Sequence, residues 1–556
     1  MSQPQVRGTV IDTVLVGGSL FSAGMASSQR GAVALSGGRI AAIGDDDEIL
    51  ALRTSTTEVV DLAGGLLLPG FQDAHVHPVM AGVSLLQCDI HHSESADEAL
   101  AAIAAYAAAN PDVPWILGGG WSMSHYPNGT PTRHMLDAIV PDRPVYLPNR
   151  DGHGAWVNTR ALEIAGIDAG TPDPADGRIE READGFPAGT LHEGASHLID
   201  HHLPGVTPDA QRAGLLAAQE HLFSLGVTSW QDAAVGSMFG QDDILPIYLD
   251  AAESGDLVAR VVGSLWWDRN RSSDQIAELV ERRGNGSTGR FRPTTVKIML
   301  DGVAENFTAA MLEPYEDGCG CATENSGLDF VDPVGLLEYV TRLDREGFQV
   351  HFHALGDRAV RHALDAVAAA REANGAGGDH HLAHLQVVHP DDIARFAQVG
   401  ATANIQTLWA AHEDQMDELT IPFLGERRAS WQYPFGALLR SGAQLCSGSD
   451  WPVSSADPLD AIHVAVNRIY PGAEEGTEPL YAEQALPLAV ALSSYTAGTA
   501  RVNGQADTTG RLEPGMYADL AVLDRDPFAG PPSAIADATV VATFVEGERV
   551  FTREIS

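Results

Sequence analysis

The 556-residue sequence predicts an α/β fold: a (β/α)8 TIM barrel with a small composite β-sandwich domain from both termini and an inserted α/β lobe after strand 1. Three features predict it. Strand-like segments occupy both ends of the chain, apolar strands alternate with helical segments between them, and one long stretch interrupts this alternation after its first strand. We therefore expect the sandwich in residues 1–65 and 506–556, and the barrel in 66–505 with the lobe at 84–207.

The flanking strands are short apolar runs bounded by turns. Gly17-Gly18 and Gly37-Gly38 mark two of these turns. A similar set of runs returns near the C-terminus, so one small β-domain can be assembled from the two ends. The predicted strands are 13–16, 32–35, 39–43, 58–62, 518–523 and 536–545.

Eight strands are predicted for the barrel. The first is the apolar run that begins near Gly64 and ends in His75-Val76-His77. Because barrel active sites gather at the C-terminal ends of the strands, polar residues at those ends are the candidates for chemistry. The other seven strands are predicted at 226–232, 259–266, 294–302, 348–353, 381–386, 401–406 and 444–450.

Charge and cysteine content exclude several classes of protein. A net charge of -41 argues against a nucleic-acid surface or an anionic membrane as partner, because both need clustered Lys and Arg. No apolar run approaches ~18 residues and no apolar signal region follows the N-terminus, so we expect a cytoplasmic protein. The partner that we expect is a small-molecule substrate. The four cysteines are too few and too irregularly spaced for a disulfide framework or a four-cysteine zinc site, and Cys319 and Cys321 are interpreted as loop thiols.

Lys297 is the only lysine among the 34 Lys and Arg residues. It lies in an apolar run between Pro293 and Gly302, where strand alternation places it on one face with Met299 and Asp301. Full burial lowers the pKa of a lysine by roughly 3–5 units and leaves a neutral amine that can take up CO2 as a carbamate. The alternative is a lysine retained by chance, whose amine reaches solvent at a strand end.

The candidate metal ligands all lie at predicted C-terminal strand ends. His75 and His77 share one face of strand 1, roughly 6–7 Å apart along the chain, so both imidazoles can reach one ion. Imidazole and carboxylate donors suit Zn2+, with Mn2+ or Fe2+ as substitutes, and a carbamylated lysine would let the site hold two ions. The predicted set is His75, His77, Lys297, His353, His384 and Asp450.

Residues 84–207 are interpreted as a lobe over the mouth of the site. Trp121, His153 and Trp156 lie in glycine-rich aromatic stretches, which we interpret as part of a substrate pocket. Packed corners are the alternative for such stretches. The remainder of the pocket is expected from the long loop between Thr407 and Trp431.

Five segments carry a resemblance to a known family: Pro69–His77, Lys297–Gly302, His353–Ala359, His384–Gln386 and Gly448–Val453. With them the chain resembles the amidohydrolase superfamily, and within it the YtcJ-like branch of metal-dependent hydrolases that includes N-substituted formamide deformylases. The resemblance covers nearly the whole chain and extends to Asp151–Gly154 and Gly189–Glu193 in the lobe. It implies a two-ion site in which carbamylated Lys297 bridges the ions and Asp450 lies beside the nucleophilic water. The remaining ligands are then His75 and His77 for one ion, and His353 and His384 for the other.

The expected reaction is hydrolysis of a C–N bond in a small amide, N-substituted formamide, urea or carbamate. Metal binding lowers the pKa of water from 15.7 to about 7, and Asp450 can take a proton from that water and hand it to the leaving amine. Ester, lactone or phosphotriester hydrolysis at the same site is an alternative, and a non-catalytic scaffold is a third that the complete ligand set disfavours. We expect a homodimer, and substrate contacts from Trp121, His153, Glu193 and Asp301.

Overall fold

The computed structural model describes residues 10–91, 93–150, 152, 154–174, 177–237 and 242–553. The described chain forms two compact units. One comprises the segments up to His77 and from Gln219 onward, and the other is Pro78–Ala218. The division into 1–65, 66–505 and 506–556 stays a prediction.

The strands and helices of the described chain are numbered in the order of the sequence. The strands are β1 (Thr13–Leu20), β2 (Gln29–Ser36), β3 (Arg39–Gly44), β4 (Glu58–Asp61), β5 (Leu66–Pro69), β6 (Phe71–Val76), β7 (Cys88–Asp89), β8 (Ile116–Gly119), β9 (Val145–Pro148), β10 (Gly154–Val157), β11 (Gly177–Arg181), β12 (Pro187–Glu193), β13 (Val227–Val235), β14 (Arg260–Trp266), β15 (Phe291–Met299), β16 (Gln349–Ala354), β17 (His381–His384), β18 (Thr402–Ile405), β19 (Gln444–Ser447), β20 (Leu520–Leu523), β21 (Val540–Val545) and β22 (Glu548–Thr552). The α-helices are α1 (Asp46–Leu50), α2 (Pro78–Leu85), α3 (Ala96–Ala109), α4 (Arg133–Asp137), α5 (Thr159–Ala165), α6 (Pro208–Ser224), α7 (Leu245–Ser254), α8 (Ile276–Gly286), α9 (Pro333–Arg345), α10 (Asp357–Asn374), α11 (Pro390–Val399), α12 (Ile421–Ala429), α13 (Phe435–Arg440), α14 (Pro458–Asn467), α15 (Leu488–Ser493) and α16 (Thr499–Val502).

Strands from both ends of the chain share one sheet. Its order is β22-β21-β20-β5-β1-β2-β3, with β4 beside β1. β20 pairs antiparallel with β5, from Leu520 opposite Pro69 to Leu523 opposite Leu66. Leu15, Val33 and Leu67 belong to its apolar core together with β20 side chains. The two ends therefore meet as expected, and the sandwich form of this domain stays a prediction.

The predicted first barrel strand is two strands. β5 belongs to the terminal sheet and β6 to the barrel, and Gly70 separates them. A Cβ at Gly70 would lie 2.4 Å from two side-chain atoms of Thr228, so only glycine lets the backbone pass here without displacement. The expectation of one continuous strand from Gly64 to His77 is therefore wrong, and Leu66–Pro69 pair outside the barrel.

Eight parallel strands of the described chain form the barrel, in the order β19-β18-β17-β16-β15-β14-β13-β6. All nine residues of β13 are buried, as expected for a strand covered on both faces. β6 and β19 end the sheet order, and the backbone N–H of Asp450 donates to the carbonyl of His75 at 2.7 Å, which links the two ends. This nearly closed arrangement fits the predicted TIM barrel.

Amphipathic helices cover the barrel, and α10 shows why they form. It begins directly after β16 and buries Val360, Leu364 and Val367, at the three- and four-residue spacing that makes one helical face. On its other side Arg361 donates to Asp392 of α11 at 2.9 Å. Within the described chain, no helix combines the length and apolar character that a membrane span needs.

The unit Pro78–Ala218 has a sheet of its own. The strand order is β11-β12-β10-β9-β8-β7. α3 begins after Ser95, whose hydroxyl accepts the backbone N–H of Glu98 at 3.3 Å, in agreement with the helix expected from Ser95 to Ala109. Two apolar clusters pack in this unit, one including Trp156 and the other including Leu191.

Candidate metal centre

The C-terminal ends of the barrel strands bring together the six predicted ligands. β6 carries His75 with His77 just beyond it, β15 carries Lys297, β16 carries His353, β17 ends at His384, and Asp450 follows β19. His75, Lys297 and His384 are 1%, 3% and 2% exposed. The strand ends thus form one enclosed polar site, as barrel geometry leads us to expect.

Asp450 lies at the centre of this group. Its Oδ1 is 3.1 Å from Nε2 of His75 and 3.0 Å from Nε2 of His77. Its Oδ2 is 3.9 Å from Nδ1 of His384. Ligand atoms of His75, His384 and Asp450 all lie within 4.8 Å of one another. Ligand atoms around one tetrahedral zinc ion lie about 3.4 Å apart, so little adjustment separates this arrangement from a bound ion.

Lys297 and His353 lie beside His75 and His384, respectively. The Lys297 amine is 3.5 Å from Nε2 of His75. The rings of His353 and His384 are 4.4 Å apart between centroids, and Nε2 of His353 is 3.4 Å from the carbonyl oxygen of Gly302. Both residues therefore adjoin the group formed by His75, His384 and Asp450.

The protonation states favour metal binding. Burial, with a smaller effect of Lys297, lowers the pKa of His75 to about 3 and that of His353 to about 3. Burial also lowers the pKa of Lys297 to about 7. Burial alone would raise the pKa of Asp450, but His75 and the hydrogen bonds from His75 and His77 hold it well below its usual range. Neutral imidazoles, a neutral amine fraction and one carboxylate are the forms that bind a cation.

Unsatisfied nitrogen atoms supply a test of whether the site fits an ion. Neither ring nitrogen of buried His384 has a hydrogen-bond partner among the described residues, and the same is true of Nδ1 of His77. Leaving a buried polar atom unpaired costs about 1–3 kcal/mol. A divalent cation beside Asp450 would take up such lone pairs, so the donor set fits a metal.

The backbone is strained at two of the ligands. His384, Leu385 and Asp450 have φ values of 78°, 52° and 59°, in the left-handed region that non-glycine residues rarely adopt. Each such residue costs of order 1–3 kcal/mol. The surrounding barrel therefore stabilises a geometry that the local sequence alone would not adopt.

Asp73 links the first and last strands of the barrel through hydrogen bonds to the backbone. Its Oδ1 accepts the N–H of His75 at 2.8 Å, and both its oxygens lie 3.2 Å from the N–H of Ser449. Burial raises the pKa of Asp73 to about 7, although these hydrogen bonds act in the opposite direction. The carboxyl thus positions His75 and, through Ser449, the neighbouring Asp450.

Asp301, expected to contact substrate, is buried and hydrogen-bonded to backbone N–H groups. It is 0% exposed. Its carboxylate accepts the N–H groups of Ala310 at 2.9 Å, Leu355 at 3.1 Å and Gly356 at 2.8 Å. The side chain therefore ties the loop after β15 to the loop after β16, and its predicted substrate contact is not favoured by this placement.

The predicted substrate residues of the lobe have different placements. Trp121 is 2% exposed, and its indole N–H donates to the Leu147 carbonyl at 2.8 Å. Its ring packs edge-on against Trp156, with centroids 6.4 Å apart, as in the packed corner considered above. Glu193 ends β12 with φ 50°, and His153 lies outside the described residues. Their substrate contacts stay predictions.

The loop between Thr407 and Trp431 borders the ligands. Trp409 stacks on His384 with an interplanar angle of 10° and centroids 5.5 Å apart. Farther along, the Thr420 hydroxyl donates to Oε1 of Glu305 at 3.0 Å, and the amide of Gln386 lies 3.4 Å from the same oxygen. The loop is therefore fixed to the ends of β15 and β17.

Two buried histidines were not identified from the sequence as parts of the site. His351 and His381 lie inside the barrel below the ligands, both 0% exposed. For His351 the sequence carries a signal, since this residue precedes His353 by two positions and so shares its strand face.

Cys319 and Cys321 are exposed free thiols in a loop where Asp317 accepts both their N–H groups, at 2.9 and 3.0 Å, as expected for loop thiols.

Comparison with known proteins agrees with the resemblance drawn from the motifs. A protein of Bacillus subtilis (strain 168) named amidohydrolase YtcJ is 30% identical over 89% of this chain and 91% of its own length. The N-substituted formamide deformylase of Arthrobacter pascens is 27% identical over 96% of this chain and 97% of its own length.

A solved structure shows the same architecture. The crystal structure of an uncharacterised metal-dependent hydrolase from Pyrococcus horikoshii OT3 matches with a TM-score of 0.71 and 26% identity, over 94% of this chain and 99% of that one. The model of the amidohydrolase family matches residues 58–551, which is most of the chain. The chain belongs to the amidohydrolase family of hydrolytic enzymes.

Proposed function

We propose that the protein is a metal-dependent hydrolase that cleaves the C–N bond of a small amide, with N-substituted formamides, ureas and carbamates in the same class. One observation carries the proposal. Asp450 lies within 3.1 Å of imidazole nitrogens from His75 and His77, beside a His384 ring whose nitrogens have no partner among the described residues. The amide class is supported by the named activity of the Arthrobacter pascens relative.

The proposed ligands divide around Asp450. His75, His77 and Asp450 would hold one ion, and His353 with His384 would hold a second; Zn2+ suits this mixture of nitrogen and oxygen donors, as Mn2+ or Fe2+ also would. A bound divalent ion would polarise the substrate carbonyl and lower the pKa of water to about 7. The enclosed position of these side chains excludes bulk water and strengthens every charge interaction there.

Asp450 is the proposed proton carrier. Its pKa lies well below the usual range, so its carboxylate is ionised at neutral pH and can accept a proton from the attacking water. It then delivers that proton to the amide nitrogen as the C–N bond breaks. Because an amine anion is a poor leaving group, this delivery matters more for an amide than for an ester.

Lys297 is proposed to carry a carbamate that bridges the two ions. Burial lowers its pKa to about 7, so a substantial fraction is the neutral amine that reacts with CO2. An arginine could not replace it, because a guanidinium stays protonated. The amine is 3.5 Å from Nε2 of His75. Asp450 is the carboxylate at the centre of this site, and a carbamate on Lys297 would supply another to bridge the ions.

Metal removal and a substrate panel test the proposal. We expect chelation to abolish hydrolysis and to lower the melting temperature, since an ion that binds only the folded state stabilises it. Restoring Zn2+, Mn2+ or Fe2+ should restore activity, with N-substituted formamides and other small amides preferred over esters and lactones of matched size. Active protein without appreciable metal would contradict the metal centre, and a consistent preference for esters would contradict the amide class.

Assembly and location are separate proposals. We propose a cytoplasmic homodimer, to be tested by light scattering of the purified protein and by fractionation of the source cells. A monomer at micromolar concentration would contradict the dimer.

A further inference from the structure

A second buried imidazole contacts the metal-site residue His75 from inside the barrel. His351 lies on β16 and is 0% exposed. Its Nε2 is 2.9 Å from Nδ1 of His75, with the two rings edge to face at 81°. On its far side, Nδ1 of His351 is 3.4 Å from the hydroxyl oxygen of Ser264 on β14. His75, His351 and Ser264 therefore form one chain of contacts that leads away from Asp450.

The direction of the hydrogen bonds in this chain depends on what His75 binds. A contact between two ring nitrogens needs one N–H and one lone pair. When Nε2 of His75 binds an ion, its proton must be on Nδ1, and this N–H donates to Nε2 of His351. A neutral His351 then carries its own proton on Nδ1 and donates it to the Ser264 hydroxyl. The hydroxyl is thus the last acceptor of the chain.

The same contacts also suit the ion-free protein. Nε2 of His75 is then protonated and donates to Oδ1 of Asp450 at 3.1 Å, while Nε2–H of His351 donates to Nδ1 of His75. Conversion to the ion-binding form moves the proton of each ring from one nitrogen to the other, and both rings stay neutral. His351 can therefore support His75 in either form without the site gaining charge.

We propose that His351, with Ser264 as its terminal acceptor, is the positioning residue that fixes the tautomer and orientation of His75 for metal binding. The proposal rests on the metal centre of the proposed function. Partners of metal-bound histidines are usually carboxylates, carbonyls or water, and their loss weakens metal binding 10- to 100-fold. A carboxylate here would add a second negative charge close to Asp450, whereas the imidazole orients His75 without one.

His381 is a matched control in the same layer of the barrel. It is also 0% exposed, and its ring centroid lies 4.1 Å from that of His351. Its Nε2 is 2.8 Å from Oε1 of Gln231, and its Nδ1 is 3.1 Å from the Asn404 amide. A substitution at His381 thus disturbs an equally buried histidine that packs against His351, without removing the partner of His75.

The test measures the affinity of metal-free protein for Zn2+ by competition with a chromophoric chelator, and the visible spectrum of the Co2+ form. We expect His351→Phe to weaken Zn2+ binding 10- to 100-fold and to change the Co2+ spectrum. His351→Gln, whose amide can both accept and donate, should recover part of the affinity, and Ser264→Ala should weaken binding severalfold. His381→Phe should bind Zn2+ as the wild type does. Melting curves of the metal-free variants identify any variant that fails to fold. If His351→Phe does not fold, the Zn2+ affinity of Ser264→Ala decides the test.

Two results would overturn the inference. One is wild-type Zn2+ affinity in both His351→Phe and Ser264→Ala. The other is an equal loss of affinity in His351→Phe and His381→Phe, which would reveal general damage to the barrel interior. Zn2+ binding by the wild type reports separately on the proposed function, because a wild type that binds no ion would overturn the metal centre itself, together with this inference.

Discussion

The apolar core of the terminal sheet and the barrel interior are both buried, yet they are stabilised by different interactions. The core of the sheet is made of aliphatic side chains such as Leu15, Leu67 and Val522, which need no particular partner. The barrel interior instead contains polar side chains such as Gln231 and His381, hydrogen-bonded to each other at 2.8 Å. A buried polar group is stable only when paired. The polar interior therefore specifies orientation, and it lies directly beneath the predicted ligands.

The largest effect is expected for a substitution among the polar residues at the barrel ends. Asp450→Asn removes the proposed proton carrier, and we expect kcat to fall roughly 10^3-fold at saturating metal. Asp460→Asn on α14 makes the same chemical change outside the proposed machinery and should retain wild-type kcat. Steady-state kinetics of both variants with a confirmed amide substrate make the comparison. Near-normal turnover by Asp450→Asn would assign proton transfer to another group.

A cavity in the terminal sheet should have the next largest effect. Leu67 is 0% exposed in the apolar core, and Leu67→Ala should lower the free energy of unfolding by about 3 kcal/mol, through lost burial and the cavity that remains. Adding Val522→Ala should destabilise the protein further, because no unpaired group is removed by the second change. Denaturant unfolding measures both variants, and recovery of stability in the double variant would contradict an apolar, partner-independent core.

A single substitution in the barrel interior should behave differently. Gln231→Leu leaves the ring N–H of His381 without its acceptor and removes the 3.1 Å contact to Gln349, so we expect a loss of about 2 kcal/mol. Adding His381→Phe removes the unpaired donor and should recover part of that loss. The same unfolding experiment distinguishes the regions, since purely additive losses would contradict dependence on pairing.

The smallest effect depends on pH. Burial, with a smaller effect of Asp457 nearby, raises the pKa of Asp460 above its usual value to about 6. The folded state therefore binds this proton more tightly than the unfolded state, and stability falls as pH rises from about 4 to about 6. Asp460→Asn removes this loss, so we expect a gain of about 1 kcal/mol at pH 7.5, reduced by partial solvent exposure, and none at pH 4.

Melting curves against pH test this expectation. Glu372→Gln, at an exposed position of α10, is the matched control and should leave the pH profile unchanged. An equal gain for Asp460→Asn at pH 4 and at pH 7.5 would show that the carboxyl does not titrate differently on folding.

Local patterns predicted most of the fold and the strand ends at which the candidate ligands lie. Strands β13 to β19 are short apolar runs between helical segments, and His353, His384 and Asp450 occur near the ends of such runs. Period and position together therefore placed these three residues at one end of the barrel, and their role as ligands stays a prediction. The break at Gly70 was missed because the run through Leu68 and Phe71 has strand character throughout. Only the close approach of Thr228, a tertiary contact, requires the glycine.

Roles that depend on contacts between distant segments could not be predicted from the sequence. Strand alternation puts His351 on the same face as His353, but its partners His75 and Ser264 lie on other strands. Trp121 is expected in a pocket because it follows a glycine-rich stretch, and its packing against Trp156 is a contact that this stretch does not reveal. In both cases the sequence shows the residue type, but the neighbours of the residue in the folded chain cannot be predicted from it.

The central claim is that the barrel ends form a metal centre, and anomalous diffraction from crystals of active protein at neutral pH tests it most directly. We expect one or two anomalous peaks within roughly 2.0–2.3 Å of ligand atoms from His75, His384 and Asp450, with branched density at the Lys297 amine between two such peaks. Active crystals with no anomalous peak among these side chains would contradict the account.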